Sequence, residues 1–79
     1  MEARLTVEYD REGDILYISK RPPYAEQESE ELDYGVVARF NPESGEVENI
    51  EILFFSARAS SGEVLRLPIF AEFRLSEAV

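Results

Sequence analysis

Apolar residues in this chain recur at every second position, and almost nowhere at the three-to-four spacing of a helix. That pattern commits a chain to strands with one face turned inward. Ala3, Leu5, Val7 and Tyr9 share one side of the first stretch, and Arg4, Thr6 and Glu8 share the other. Asp10 to Asp14 then reads as a turn, with Gly13 available for a positive φ. Ile15-Leu16-Tyr17-Ile18 is apolar on both sides, as a central strand covered twice would be. Pro22 and Pro23 end it, because proline cannot continue a ladder.

Residues 25–31 are almost wholly polar. They fit a charged edge strand, a loop, or a helix over Ala25–Leu32 with little apolar face to dock. Val36, Ala38 and Phe40 return to period two. Asn41-Pro42-Glu43-Ser44-Gly45 is the clearest turn, with Pro42 suited to its second position and Gly45 to a left-handed residue. A strand from about Glu46 to Phe55 follows, with Ile50, Ile52 and Phe54 on one face and Leu53 and Phe55 on the other. Ser56 to Gly62 is small and polar, a loop or a single helical turn. The longest alternation comes last: Leu65, Leu67, Ile69, Ala71, Phe73 and Leu75 share a face. Pro68 inside it places this sixth strand at an edge or on a bulge.

The expected fold is one small β-rich domain over 1–79, mainly β. It is an antiparallel meander of five or six strands with at most one short helix near 55–61. The alternative is α+β, with a helix in 25–33 or 54–62. Two strands are apolar on both faces, yet almost no helix is available to cover the second face. A flat sheet would expose a large apolar patch. The sheet must curl into a barrel or sandwich, or a second copy must cover it, and a symmetric homodimer is expected.

Cysteine, histidine and tryptophan are absent. Disulfides, Cys/His zinc sites and thiol or imidazole catalysis are therefore excluded. No apolar run approaches the ~20 residues of a membrane span. The opening Met1-Glu2-Ala3-Arg4-Leu5 lacks the plan of a signal peptide, so a cytoplasmic protein is expected. Seventeen acids stand against eight bases, a formal charge of −9. Nucleic acid and anionic lipid would be repelled, so neither is an expected partner. Residues 22–51 hold nine acids against Arg39 alone, and so carry eight of the nine excess charges. Glu26, Glu28, Glu30, Glu31 and Asp33 form the densest part, and Glu26, Glu28 and Glu30 share a face if extended. Such acids keep an edge soluble. They are also the candidate surface for a basic protein partner.

Two other carboxylate groupings bear on chemistry. Asp10, Glu12 and Asp14 have the opening spacing of a calcium loop, but the chain then enters Ile15–Ile18 without the later ligands. A turn with solvated acids, Asp10 and Asp14 capping their own backbone, is the simpler reading. Glu51 lies between Ile50 and Ile52. Its simplest place is an exposed strand position; if covered, it needs a raised pKa or a cation such as Arg39. The four glycines stand alone, so there is no phosphate-cradling loop. No metal, cofactor or catalytic set is expected.

The order of the pieces carries a resemblance. Val7-Glu8-Tyr9-Asp10, then Gly13-Asp14-Ile15-Leu16-Tyr17-Ile18, precede an acidic stretch. Gly35-Val36-Val37, a turn with Gly45, and Val47-x-x-Ile50-Glu51-Ile52-Leu53 complete the set. Over roughly residues 5–58 this is similar to the DUF2283 family of small bacterial and archaeal proteins. It departs from many members by adding Leu65–Leu75. The resemblance implies a compact β-rich domain. Through relatives that accompany small toxin-like proteins, it also implies an antitoxin-like binder. The expected function is thus a non-catalytic protein-interaction module, with a homo-oligomer among its associations. The competing classes are a small enzyme or cation-binding protein using surface carboxylates, and a purely structural homo-oligomer.

Overall fold

The computed structural model describes residues 4–75. Five antiparallel strands form one sheet: β1 (Thr6–Asp10), β2 (Ile15–Ser19), β3 (Glu28–Asp33), β4 (Val36–Phe40) and β5 (Val47–Leu53). One helix follows, α1 (Phe55–Ser61). The mainly β class and the short helix are those expected. Ala3 and the tail 76–79 lie outside the described residues.

The strand order is β1-β2-β5-β4-β3, which differs from a meander at one place: β5 inserts between β2 and β4. Residues 20–27 carry the chain past the start of β5, and β3 then pairs with β4 at the far edge. Residues 25–33 are therefore not a helix: Glu28–Asp33 is an edge strand, with Leu32 its one half-buried position.

Register sorts the two faces. Val7, Ile18, Ile50 and Ala38 lie opposite one another across four strands, as do Tyr9, Leu16, Ile52 and Val36. Among the described apolar residues only Val36, Ala38 and Ile52 are buried, all on this face where β4 meets β5. The other face carries Ile15, Tyr17, Leu53 and Val37, interrupted by Glu51 and Arg39. Strand β2 is not covered twice: all five of its residues are half-buried. β1 and β3 are both outer strands, so the sheet is open and the barrel expectation falls.

Three local expectations are corrected. The positive φ in the first turn falls on Asp14 (57°), not Gly13. Asn and Asp tolerate this region better than other side-chain residues, and hydrogen bonds hold Asp14 there. β5 stops at Leu53 because Phe54 also turns left-handed (φ 57°) and starts α1. Leu65–Leu75 forms no strand. Pro68 offers no N–H to a ladder, and the Ile69 N–H donates instead to the Leu67 carbonyl at 2.8 Å. That three-residue loop, with proline's fixed φ at its centre, folds the segment back. The alternation survives only as burial: Leu65, Leu67 and Ile69 are half-buried, while Arg66, Pro68 and Phe70 are exposed.

An open sheet and an irregular final segment leave much surface. The accessible area is 6455 Å², about a third more than the roughly 4,900 Å² expected for a compact monomer of this mass.

Candidate functional site

The acidic segment occupies the sheet edge. Glu26 lies in the turn before β3, so it does not continue the row of Glu28 and Glu30. Glu28 and Glu30 stand opposite Phe40 and Ala38, on the apolar face, and Glu31 stands opposite Val37 on the other. Asp33 follows an irregularity in register, faces Val36, and accepts the Tyr34 N–H at 2.8 Å. All five acids are exposed, and none makes an ion pair among the described residues. Three other acids of the same region are paired: Glu46 with Lys20 (3.0 Å), Glu48 with Arg21 (3.6 Å) and Glu51 with Arg39 (2.5 Å). The uncompensated charge is thereby concentrated along β3 and the turn before it. The apolar floor beside it is a shallow groove, with Glu30 at its rim and Ala38, Phe40 and Ile69 among its walls.

Glu51 is half-buried rather than exposed, and it takes the cation anticipated for that case, Arg39. Asp10 caps its turn, accepting the Glu12 and Gly13 N–H groups at 3.1 and 3.3 Å. Asp14 does something else. Its carboxylate accepts the Tyr9 hydroxyl (2.5 Å), the Ser56 N–H (3.0 Å) and the Ser56 hydroxyl (2.8 Å), tying the first turn to the start of α1. The two aspartates are thus engaged by different donors, and the described residues contain no metal-ligating group of three or more.

The most connected polar cluster was not anticipated. Arg39 faces Asn49 but Phe40 faces Val47, so Glu48 is one residue more than the ladder can pair. This bulge re-aims Glu48 at the crossing loop. Glu48 accepts the Tyr24 hydroxyl (2.7 Å) and the Gln27 amide (3.0 Å). Gln27 also donates to Asn49 (2.7 Å), and Asn49 donates to the Arg21 carbonyl (2.7 Å). Arg21 lies over the Tyr24 ring at 4.6 Å. Glu48 and Asn49 are the two buried polar residues among those described. The sequence held one signal for this: Val47 to Ile50 is a spacing of three, which breaks period two inside a strand. Every buried side-chain polar atom described has a partner, and the cluster ties the crossing loop to β5.

Hydrogen bonds to the charged forms set the acid–base behaviour. Bonds from Tyr24 and Gln27 lower the Glu48 pKa, and bonds from Tyr9 and Ser56 lower that of Asp14. The same contacts raise Tyr24 and Tyr9, whose protons are held by Glu48 and Asp14. A depressed carboxylate contributes stability present above its unfolded pKa and lost as pH falls through the folded one. A raised tyrosine contributes stability present below its unfolded pKa and lost as pH rises through the folded one. Stability should therefore be greatest between about pH 5 and pH 9.5 on these grounds. Acidification also relieves the repulsion of a −9 chain, which opposes the acid limb. The diagnostic is consequently the difference between wild type and Glu48→Gln, measured as urea midpoints from pH 3 to pH 7. That difference should shrink as pH falls, and a pH-independent difference would exclude the assigned role of the carboxylate.

The ordered set of strands and turns carrying these features matches one family model, described as a protein of unknown function (DUF2283), over residues 6–56. The chain belongs to the DUF2283 family. The match spans β1 to the start of α1, and so includes both edge strands, the crossover cluster and the Asp14–Ser56 tie of this DUF2283 domain. No curated protein and no solved structure matches the chain. Among the described residues no helix is long and apolar enough to cross a membrane.

Proposed function

We propose that this DUF2283 domain is a non-catalytic, cytoplasmic protein-interaction module that docks a basic partner along β3. The observation carrying this reading is the position of β3: an outer strand with Glu28, Glu30 and Glu31 exposed and unpaired by cations among the described residues. An edge strand presents N–H and C=O groups at alternate residues to a strand added from outside. Here that row is flanked by carboxylates, which reject an acidic strand and attract a basic one. An antitoxin-like role, implied by the family resemblance, is one instance of such docking. Three carboxylates that a cation site or an acid/base pair would draw on have other partners: Asp10 caps its own turn, Asp14 accepts from Tyr9 and Ser56, and Glu51 is paired with Arg39.

The test is kinetic. A partner captured from host cells at low salt and released at high salt is purified. Its association is then measured with wild type and with the triple variant Glu28→Gln, Glu30→Gln, Glu31→Gln. Steering across such a patch should make the triple variant about tenfold slower at low salt, the lower end of known effects. The two rates should converge at 1 M salt, where the Debye length is about 3 Å. Equal rates at low salt would leave these acids only the task of keeping the edge soluble.

A second association is favoured by a separate observation. The excess surface and the exposed Leu5, Val7 and Tyr9 on the apolar face fit a homo-oligomer better than an isolated chain.

A further inference from the structure

We infer that β1 is the edge at which two copies of this chain pair, antiparallel, about a two-fold axis through Val7. This rests on the self-association just described and assigns it a surface and a register. The sheet has two open edges, and they differ in chemistry. Along β3, Glu28, Glu30, Glu31 and Asp33 occupy four of six positions. Antiparallel self-pairing joins residues of the same hydrogen-bonding type, so its two-fold axis passes at one residue. Wherever that residue lies in β3, at least one carboxylate falls directly opposite another, and like charges so placed are destabilising. This edge excludes its own copy.

β1 is the reverse case. Its sequence with the two preceding residues is Arg4-Leu5-Thr6-Val7-Glu8-Tyr9-Asp10. An axis through Val7 sets Val7 against Val7, Leu5 against Tyr9, Thr6 against Glu8, and Arg4 against Asp10 of the second copy. Apolar meets apolar on one face, and the outermost pair is of opposite charge. An axis through Glu8 would oppose two glutamates. An axis through Thr6 would set Leu5 against Val7 and Arg4 against Glu8, and would give Tyr9 and Asp10 no partner among the described residues. The register through Val7 uses all of β1. The side chains it brings together are those left open to solvent in one copy: Leu5, Val7 and Tyr9 are 46%, 62% and 41% exposed.

The product is a ten-stranded sheet with both β3 edges outermost. A second copy on β1 leaves the acidic edges free for a basic partner, and supplies two of them.

The chain has no cysteine, so single introduced thiols report proximity cleanly. Opposed Cα atoms in an antiparallel pair lie about 4.5–5.5 Å apart, inside the roughly 4.4–6.8 Å that a disulfide spans. In this register Val7→Cys meets itself. Leu5→Cys is displaced from its own copy by four positions, about 14 Å, and meets Tyr9→Cys instead. Native protein is first sized by sedimentation equilibrium, then the variants are oxidised with glutathione disulfide and run on a denaturing non-reducing gel. The expected result is a native dimer, a covalent dimer of Val7→Cys, and a covalent dimer of mixed Leu5→Cys and Tyr9→Cys. Leu5→Cys alone and Ser29→Cys on the β3 edge should remain single chains. A native dimer in which Val7→Cys stays unlinked, or in which Leu5→Cys alone links equally well, would overturn the β1 register while leaving self-association standing. A native monomer would overturn both.

Discussion

Replacing Ile52 with alanine should cost about 2–5 kcal/mol, the range for large-to-small changes in a packed core. Ile52 sits in the central strand, between Leu16 of β2 and Val36 of β4, and is 6% exposed. With Val36 and Ala38 it makes up the buried apolar core among the described residues. A chain of this length has about 4–12 kcal/mol of total stability. The loss is therefore a large share, and the melting midpoint should fall by roughly 10–40 °C. Ile52→Val, which removes one methyl group, should cost only about 0.5–1.5 kcal/mol. Thermal melts of both variants by circular dichroism check the pair. A midpoint unchanged in Ile52→Ala would mean the sheet is held elsewhere.

Asn49→Ala should produce the second largest loss, through polarity rather than volume. Asn49 is 2% exposed, accepts from Gln27 and donates to the Arg21 carbonyl. Alanine removes both bonds and leaves the Arg21 carbonyl without its partner. Two hydrogen bonds lost from a buried side chain cost about 1–3 kcal/mol, or roughly 5–20 °C in the midpoint of a domain this small. Asn49→Asp tests the cause. Aspartate keeps the shape but cannot donate to the carbonyl, and it sets a second carboxylate beside Glu48. It should be at least as damaging as alanine. If aspartate were tolerated better, the bond to Arg21 would not be what matters at this position.

These two positions also mark how far the sequence could be read. Ile52 was placed on a buried face because period two is a local signal, set by alternate Cβ directions along one strand. The same signal located β1 and β4, a continuous apolar run located β2, and the turn at Asn41–Gly45 followed from local conformational needs: Gly45 has φ 75° and donates to the Asn41 carbonyl at 2.8 Å. Asn49 had no such signal, because its partners, Gln27 and Arg21, lie more than 20 residues away and are reached only when the chain crosses over. Strand order was hidden for the same reason, since alternation says which face is inward and not which strand is the neighbour. β3 lacked the pattern because it borders solvent, and burial there falls on Leu32 alone. Leu65–Leu75 had the pattern without the strand, because alternation counts side chains and Pro68 withholds the backbone donor. The acidic surface itself was legible in part. Composition located the charge, but only the pairing of Glu46, Glu48 and Glu51 with nearby cations showed which acids remain at the edge.

Position in the sheet and order of synthesis are opposed for β5. Among the described residues it is the last strand made and the middle one in space. The β1–β2 and β3–β4 hairpins close over loops of a few residues and can each form within about 1–10 μs. Neither can bury its apolar face until residues 47–53 arrive to bridge them, and that bridging brings together segments some 30 residues apart (Ile18 and Ile50, for example). Loop-closure entropy must be met before those contacts repay it, which slows folding in sheets of this kind. On the ribosome the two hairpins would emerge as separate pieces with no sheet to join. The domain becomes a single cooperative unit only once its fifth strand is free of the exit tunnel.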